Sequence, residues 1–146
     1  SLGIAVLTRL LREAATSLPD WDLEIIEAHH QRKVDAPSGT ALALGRAAAD
    51  ARGQDFDQVA IFARHGQTGS REAGTIGFSS LRGGEIVGEH TALLIGNGER
   101  IELTHRAGDN AIFARGALEA AAWLADKPAG SYLLDDVIVA QAKQRT

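Results

Sequence analysis

Two adjacent histidines and a lysine lie just before an apparent helix start, in the stretch 27–41. An imidazole exchanges protons near neutral pH, and a lysine ammonium is a compact charge that binds anions. Adjacent side chains of a strand point to opposite faces, so His29 and His30 can share a pocket only if the backbone bends there. With Lys33 beside them, these residue types predict proton transfer on a small anionic substrate.

The helix start itself predicts an anion site. Ser38 is a good N-cap, and an alanine-rich helix follows from Thr40. The first backbone N–H groups of a helix have no partner inside it, and Gly39 lets a ligand approach them closely. The hydroxyls of Ser38 and Thr40 add donors. Ordinary helix capping explains the same residues, and both roles can hold together.

The elements around this stretch follow from hydrophobic periodicity. Residues 21–26 alternate as a strand that leads into the histidines. Residues 1–17 predict an amphipathic helix, whose apolar stripe is Ile4, Leu7, Leu11, Ala14 and Leu18.

Three further strands are predicted at 75–81, 85–95 and 100–106, joined as an antiparallel meander. Gly83-Gly84 is a candidate hairpin turn, and Asn97-Gly98 is typical of a type I′ turn. We therefore expect an α+β fold, with a mixed, largely antiparallel sheet and helices packed on one face. A sheet face left uncovered favours an oligomer.

Composition excludes several classes of protein. The chain has 146 residues, a formal net charge of −4 and no cysteine. Nucleic-acid binding, disulfides and thiolate metal sites are therefore not expected. No apolar run is long enough to span a membrane and no basic leader opens the chain, so the expectation is a soluble, cytoplasmic protein.

The central stretch closely resembles a family signature. His29-His30-x-x-Lys33-x-Asp-Ala-Pro-Ser-Gly-Thr-Ala is similar to the signature of dihydrodipicolinate reductase, and the similarity continues through 74–78, 84–91 and 102–107. The resemblance implies reduction of a cyclic dicarboxylate imine to tetrahydrodipicolinate with NADPH or NADH, in the diaminopimelate route to lysine. It also implies a homotetramer.

The resemblance assigns roles to individual residues. His29 and Lys33 would be catalytic, His29 as the general acid–base group. The substrate carboxylates would be bound by His30, Lys33, Ser38, Gly39 and Thr40. Arginine often stands in this family where this chain has Asn110, so no contact from that arginine is transferred to Asn110.

A nucleotide-binding signature is missing. An NAD(P)-dependent enzyme should carry a Gly-x-Gly-x-x-Gly turn after its first strand, and none is present. We therefore expect the chain to be the substrate-binding and oligomerisation half of the enzyme, with no tightly bound cofactor and no activity alone. Residues 1–110 would form that domain. Residues 111–146, a helix and a strand, would pack on the dinucleotide-binding domain of the intact family.

Other interpretations remain for these residues. Adjacent histidines could suggest a metal, but no established ligand spacing is present, and no metal is expected. His65, His90 and His105 are assigned structural rather than catalytic roles, and Asp35 is expected to fix the turn before Pro37. Arg106 could reach the substrate or remain solvated. The alternative to an enzyme is a self-associating structural module without catalysis.

Overall fold

The protein folds around a five-stranded mixed sheet. The structure, a computed structural model, describes residues 1–143. Over these residues the sheet order is β2-β3-β1-β4-β5. In chain order the elements are α1 (Leu2–Ser17), β1 (Asp22–His29), α2 (Gly39–Ala51), α3 (Phe56–Val59), β2 (Ala60–Ile61), β3 (Ile76–Arg82), β4 (Glu89–Ile95), β5 (Arg100–Arg106), α4 (Ala111–Leu124) and α5 (Leu134–Lys143).

Strand β1 occupies the centre of the sheet, which corrects the predicted meander. It pairs parallel with β3 and antiparallel with β4, so β3 and β4 are not neighbours. Gly83 and Gly84 form no hairpin. Instead, Gly83 N–H donates to the carbonyl of His29, and Gly84 accepts from Gln31 N–H. The connection therefore wraps around the end of β1, which brings the end of β3 beside His29.

The β4–β5 hairpin is confirmed, but its predicted turn type is wrong. The two strands pair antiparallel up to Ile95 and Arg100. Gly98 has a φ of 84°, whereas no residue other than glycine has a positive φ within 1–143. A type I′ turn needs positive φ at both central residues, so Asn97 excludes it.

Helices α1 and α2 cover one face of the sheet, as predicted. Leu7 and Leu11 of the predicted α1 stripe are buried, and its other three members pack against the core. From the sheet, Leu23 and Ile25 of β1 contribute fully buried side chains to the same core. The α+β class with a mixed sheet is confirmed. Two of the four strand pairs within residues 1–143 are parallel.

The C-terminal region is helical where a strand was expected. Helix α4 lies as predicted, but α5 replaces the apolar strand, and residues 144–146 lie outside the described part. Two acidic residues, Asp135 and Asp136, stand in the first turn of α5, and Lys143 stands in the last. This placement complements the helix dipole. A short apolar run alone does not distinguish a helix from a strand. The charges at the two ends of α5 are the better indication of a helix.

No helix within residues 1–143 combines the length and apolar character needed to cross a membrane.

Helix α2 depends on a glycine for its approach to the sheet. A methyl group on Gly45 would lie 2.5 Å from Cζ of Phe78 and 2.9 Å from Cε2 of Phe56. Gly45→Ala should therefore destabilise the protein by about 1–3 kcal/mol although alanine favours a helix. The free energy of unfolding from denaturant titration measures the effect.

The matched control is Gly116→Ala in α4, where the added methyl would meet its nearest atom at 3.6 Å, an ordinary contact. This variant should leave stability unchanged or raise it by up to about 1 kcal/mol. Equal destabilisation by both substitutions would disprove the packing argument.

Candidate active site

The candidate site lies where the carboxyl end of β1 meets the start of α2. His29 is the last residue of β1, Ser38 is the N-cap of α2, and β3 runs parallel to β1 on one side. Ligand sites in sheets with parallel strands are commonly built at the carboxyl ends of those strands. Because β1 runs parallel to β3 and ends at His29, the histidine stretch lies at the carboxyl ends of these two strands.

The carboxylate of Glu27 links the parts of this site. It is 1% exposed, and His29, Ser38 and Arg82 are among its hydrogen-bond partners. His29 Nδ1 lies 2.6 Å from Oε2, and Ser38 N–H donates to Oε1 at 3.1 Å. Arg82 donates through both terminal nitrogens, at 2.8 and 2.7 Å. One buried charge therefore joins β1, β3 and the start of α2.

Glu27 is ionised in this environment. Burial is the largest single influence on its pKa and would raise it. Hydrogen bonds from Arg82, His29, Ser80 and the Ser38 backbone together outweigh burial and lower the pKa of Glu27 to about 2. The side chain is therefore a permanent hydrogen-bond acceptor at physiological pH.

The imidazole of His29 has an open side at Nε2. Its Nδ1 is engaged by Glu27, while a methyl group on Gly88 would lie only 3.1 Å from Nε2. The glycine thus leaves room in front of this nitrogen for another group. His29 also contacts His90 edge-on, with ring centroids 5.1 Å apart.

His90 contacts this site, unlike the two other histidines that the sequence analysis grouped with it. Its Nε2 lies 3.0 Å from the hydroxyl of Ser38, which also accepts from Ala41 N–H. Burial, followed by the electrostatic influence of His29, lowers the pKa of His90 to about 4. The imidazole is therefore neutral at pH 7. By contrast, His65 is exposed in a loop, and His105 packs against Gly3 of α1.

Lys33 is partly shielded and already paired. Its side chain is 20% exposed, and Nζ lies 2.7 Å from Oδ1 of Asp35, which is 54% exposed. The Lys33 hydrogen bond is the largest influence that lowers the pKa of Asp35. The charge of Lys33 also contributes to lowering the pKa of His90, so it acts on the same site. A ligand carboxylate would have to replace Asp35 at this ammonium.

The start of α2 retains free space for a ligand. A methyl group on Gly39 would meet no atom within 4 Å, and the first intrahelical bond of this turn runs from Leu42 N–H to the carbonyl of Ser38. The amides of Gly39 and Thr40 therefore lie in the first turn, where a helix leaves donors unsatisfied. Packing within the protein does not require glycine at position 39, which is consistent with an anion-binding site at the start of α2.

His30 and Arg106 have different surroundings. The carbonyl of His30 accepts from Lys33 N–H, and its ring Nδ1 is buried without a hydrogen-bond partner in residues 1–143. Arg106 is exposed and pairs with Glu89 at 3.1 Å. Asn110 is the N-cap of α4, and its side chain makes no capping hydrogen bond.

Sequence reasoning missed Glu27, Arg82 and the placement of His90. Glu27 could have been found, because residues two apart on a strand share a face and a carboxylate next to a catalytic histidine is a common partner. Arg82 could not, because its approach depends on the parallel pairing that places it opposite His29.

No group of three or more metal-ligating side chains occurs within 1–143. The turn from β1 to α2 contains one glycine, Gly39, rather than the repeated glycines that admit a pyrophosphate. Taken together, the fold and the site have the features of a substrate domain, in which a histidine lies beside a helix start suited to a small anion.

Comparisons with known proteins identify the family. The model for the C-terminus of dihydrodipicolinate reductase matches residues 3–138, and the chain belongs to that family. It is 54% identical over 140 residues to the 4-hydroxy-tetrahydrodipicolinate reductase of Agrobacterium fabrum, covering 94% of this chain and 51% of that protein. With the enzyme of that name from Cereibacter sphaeroides, identity is 57% over 139 residues, with 94% and 52% coverage.

A solved structure shares the fold. Dipicolinate-bound dihydrodipicolinate reductase from Paenisporosarcina sp. TG-14 has a TM-score of 0.72 and 24% identity, covering 93% of this chain and 51% of the other. The chain spans about half the length of the curated relatives it matches.

The buried His90 should make stability depend on pH. Its pKa is lowered from 6.5 to about 4, so between these values the unfolded chain binds a proton that the folded chain does not. Stability is therefore lost as pH falls from 6.5 to 4, by an amount of the order of 2–3 kcal/mol. His90→Gln should remove that part of the loss, measured as unfolding free energy at pH 7 and pH 4.5.

His65→Gln is the control, since it removes an exposed histidine and should keep the native pH dependence. The contribution of the ionised Glu27 to stability is lost only as pH falls from about 4.5 toward 2, and His105 is unchanged in both variants. An undiminished loss of stability in His90→Gln would show that His90 is not the group responsible.

Proposed function

We propose that this chain is the catalytic and substrate-binding half of a 4-hydroxy-tetrahydrodipicolinate reductase. It would reduce a cyclic dicarboxylate imine to tetrahydrodipicolinate in lysine biosynthesis by the diaminopimelate route. The observation that carries the proposal is the joining of His29 to the start of α2 through the Glu27 carboxylate, which puts an acid–base group beside an anion seat. The names of the relatives and the dipicolinate bound in the structural neighbour support it.

Two anion sites would hold the two carboxylates of the substrate. One carboxylate would accept from the amides and hydroxyls of Ser38, Gly39 and Thr40 at the positive end of α2. The other would bind Lys33 in place of Asp35, with His30 as a further donor. A planar dicarboxylate held at both ends would present its ring to His29.

His29 would supply the proton. In its charged form it carries one proton on Nδ1, bonded to Glu27, and one on Nε2, on the side left open by Gly88. As the substrate ring is reduced, the Nε2 proton would pass to the ring, and solvent would restore it. Lys33 would assist by stabilising the negative charge of the bound substrate, which is the catalytic part of its role.

The reductant would be NADPH or NADH, which supplies a hydride. In keeping with the family resemblance, the nicotinamide would be held by a nucleotide-binding domain, on which residues 111–146 would pack. By itself the chain should bind the dicarboxylate without turnover. A cytoplasmic location belongs to the same proposal.

The uncovered sheet face would be the oligomer interface. Opposite the helices, Ile26, Leu81 and Ile95 are exposed on β1, β3 and β4. Ile26 is opposite Thr91 in the sheet, and the hydroxyls of Thr91 and Thr104 are 3.0 Å apart. Exposed apolar side chains on a sheet face favour association, and the family resemblance suggests four subunits.

Substitutions at Lys33 and His29 should have different effects. Lys33→Ala removes a charged donor and should weaken binding of pyridine-2,6-dicarboxylate roughly ten- to a hundredfold. His29→Gln, in a full-length protein containing this chain, should mainly lower kcat, by about 10²-fold or more. Calorimetric titration and steady-state kinetics measure the two effects.

Arg32→Ala is the matched control, because Arg32 carries the same charge next to Lys33 but is exposed and paired with Glu85. It should change binding little. If Arg32→Ala and Lys33→Ala weaken binding equally, Lys33 does not form a specific site. If His29→Gln leaves kcat unchanged, the proton does not come from His29.

The oligomer can be tested by mass in solution. The chain should sediment as about four copies of its 15.4 kDa mass, and Ile26→Asp should reduce that mass because it puts a charge into the proposed interface. Leu10→Asp, at an exposed position on α1, is the control and should leave the mass unchanged. A native chain that is monomeric at micromolar concentration contradicts this interface.

A further inference from the structure

We propose that Glu27 is a positioning residue, which fixes His29 with a proton on Nδ1 and so reserves Nε2 for proton exchange with the substrate. The inference rests on the proposed function for the identity of that substrate. Glu27 itself would not touch the substrate, because it is buried behind His29. Its effect would reach the reaction through the tautomer and orientation of the imidazole.

The donors around Glu27 leave only one arrangement of protons. Oε1 accepts from the Ser38 amide and from Arg82 Nη2, and Oε2 accepts from Arg82 Nη1. A backbone amide and a guanidinium can only donate, and the Ser80 hydroxyl also donates because the carboxylate it bonds is ionised. The carboxylate is ionised and has no proton to give, so His29 Nδ1 must be the donor in their 2.6 Å contact. The neutral imidazole is then bare at Nε2.

The carboxylate is also held in place, so it can orient the ring. Arg82 binds both carboxylate oxygens and is itself held by the carbonyls of Leu81 and Asp35, at 2.6 and 2.7 Å. The Ser38 amide fixes the carboxylate from the side of α2. His90 contacts the imidazole edge-on. These contacts define the ring plane and direct Nε2 toward Gly88, where space is left.

A purely structural ion pair between Glu27 and Arg82 is the competing explanation. It would account for the burial and for the arginine, but it would place no constraint on the tautomer of His29. The two explanations therefore differ in one measurable quantity, the protonated nitrogen of the neutral ring. They also differ in kinetics, because a positioning role affects kcat while a structural role affects stability.

The test is the ring ¹⁵N spectrum of His29 in the native chain and in Glu27→Gln. In the native chain the neutral ring should carry its proton on Nδ1. In Glu27→Gln the amide oxygen should face Ser38 and one Arg82 nitrogen, which can only donate. The NH₂ group then faces His29, so Nδ1 becomes an acceptor and the proton moves to Nε2.

A full-length protein containing this chain gives the kinetic readout. Glu27→Gln should lower kcat by roughly 10²-fold or more, with the affinity for pyridine-2,6-dicarboxylate retained. Glu24→Gln is the matched control. Glu24 is also an arginine-paired carboxylate of β1, bound by Arg64 and Arg71, but it lies on the opposite sheet face. Its substitution should leave the His29 nitrogen signals unchanged.

Each outcome decides the proposal. A native neutral His29 protonated on Nε2 overturns it, and so does an unchanged tautomer in Glu27→Gln. If Glu27→Gln does not fold, the native spectrum alone still decides. A native chain that shows the Nδ1 proton but binds no dicarboxylate supports the positioning of His29 while contradicting the proposed function, so the two failures are distinguishable.

Discussion

Burying an ionised carboxylate costs several kcal/mol of hydration free energy. Hydrogen-bond donors, including positively charged ones, must replace the lost water. Glu27 meets this requirement with donors from β1, β3 and the residue that caps α2. Strand β3 is distant from the other two along the chain, since Arg82 follows Glu27 by 55 residues. Any structure that separates one of them from the others leaves a buried charge incompletely compensated. The charge therefore favours one relative placement of strand, strand and helix.

The same requirement sets the register of β3 against β1. Arg82 lies opposite His29 in the parallel ladder, and its side chain reaches back to Glu27. A slip of one residue would send the guanidinium to the other face of the sheet, because side chains alternate along a strand. Apolar positions such as Ile76 and Phe78 oppose the slip as well, since both would leave the core. Packing and electrostatics thus specify one register.

The sequence allowed the local elements and the central motif to be predicted, but not the pairing between strands. The α1 stripe and the α2 cap are local patterns, so Leu7, Leu11 and Ser38 could be placed from spacing alone. Gly83-Gly84 was interpreted as a hairpin because glycine pairs are typical of tight turns. In the structure, the backbone groups of these glycines form hydrogen bonds with His29 and Gln31 instead. No local pattern distinguishes these two uses.

That error explains which part of the site was missed. With β3 assigned next to β4, nothing predicted that Arg82 would reach Glu27, and the buried carboxylate had no visible partner. His90 was missed for the same reason, because its approach to Ser38 requires β4 to pair directly with β1. Residue types alone lead to a hypothesis about the chemistry of the motif. The supporting residues depend on contacts between distant segments.

The two cations of the site differ in what can replace their partners. Arg82 is paired with a carboxylate that is 1% exposed and bound by two further donors, so a ligand cannot displace Glu27 without leaving those donors unsatisfied. Lys33 is paired with Asp35, which is 54% exposed and can return to water when it is displaced. An incoming carboxylate loses hydration when it binds Lys33, but the displaced Asp35 regains hydration. The net cost of desolvation in this exchange is therefore small. By this reasoning a substrate carboxylate would bind Lys33, whereas Arg82 belongs to the framework that holds His29.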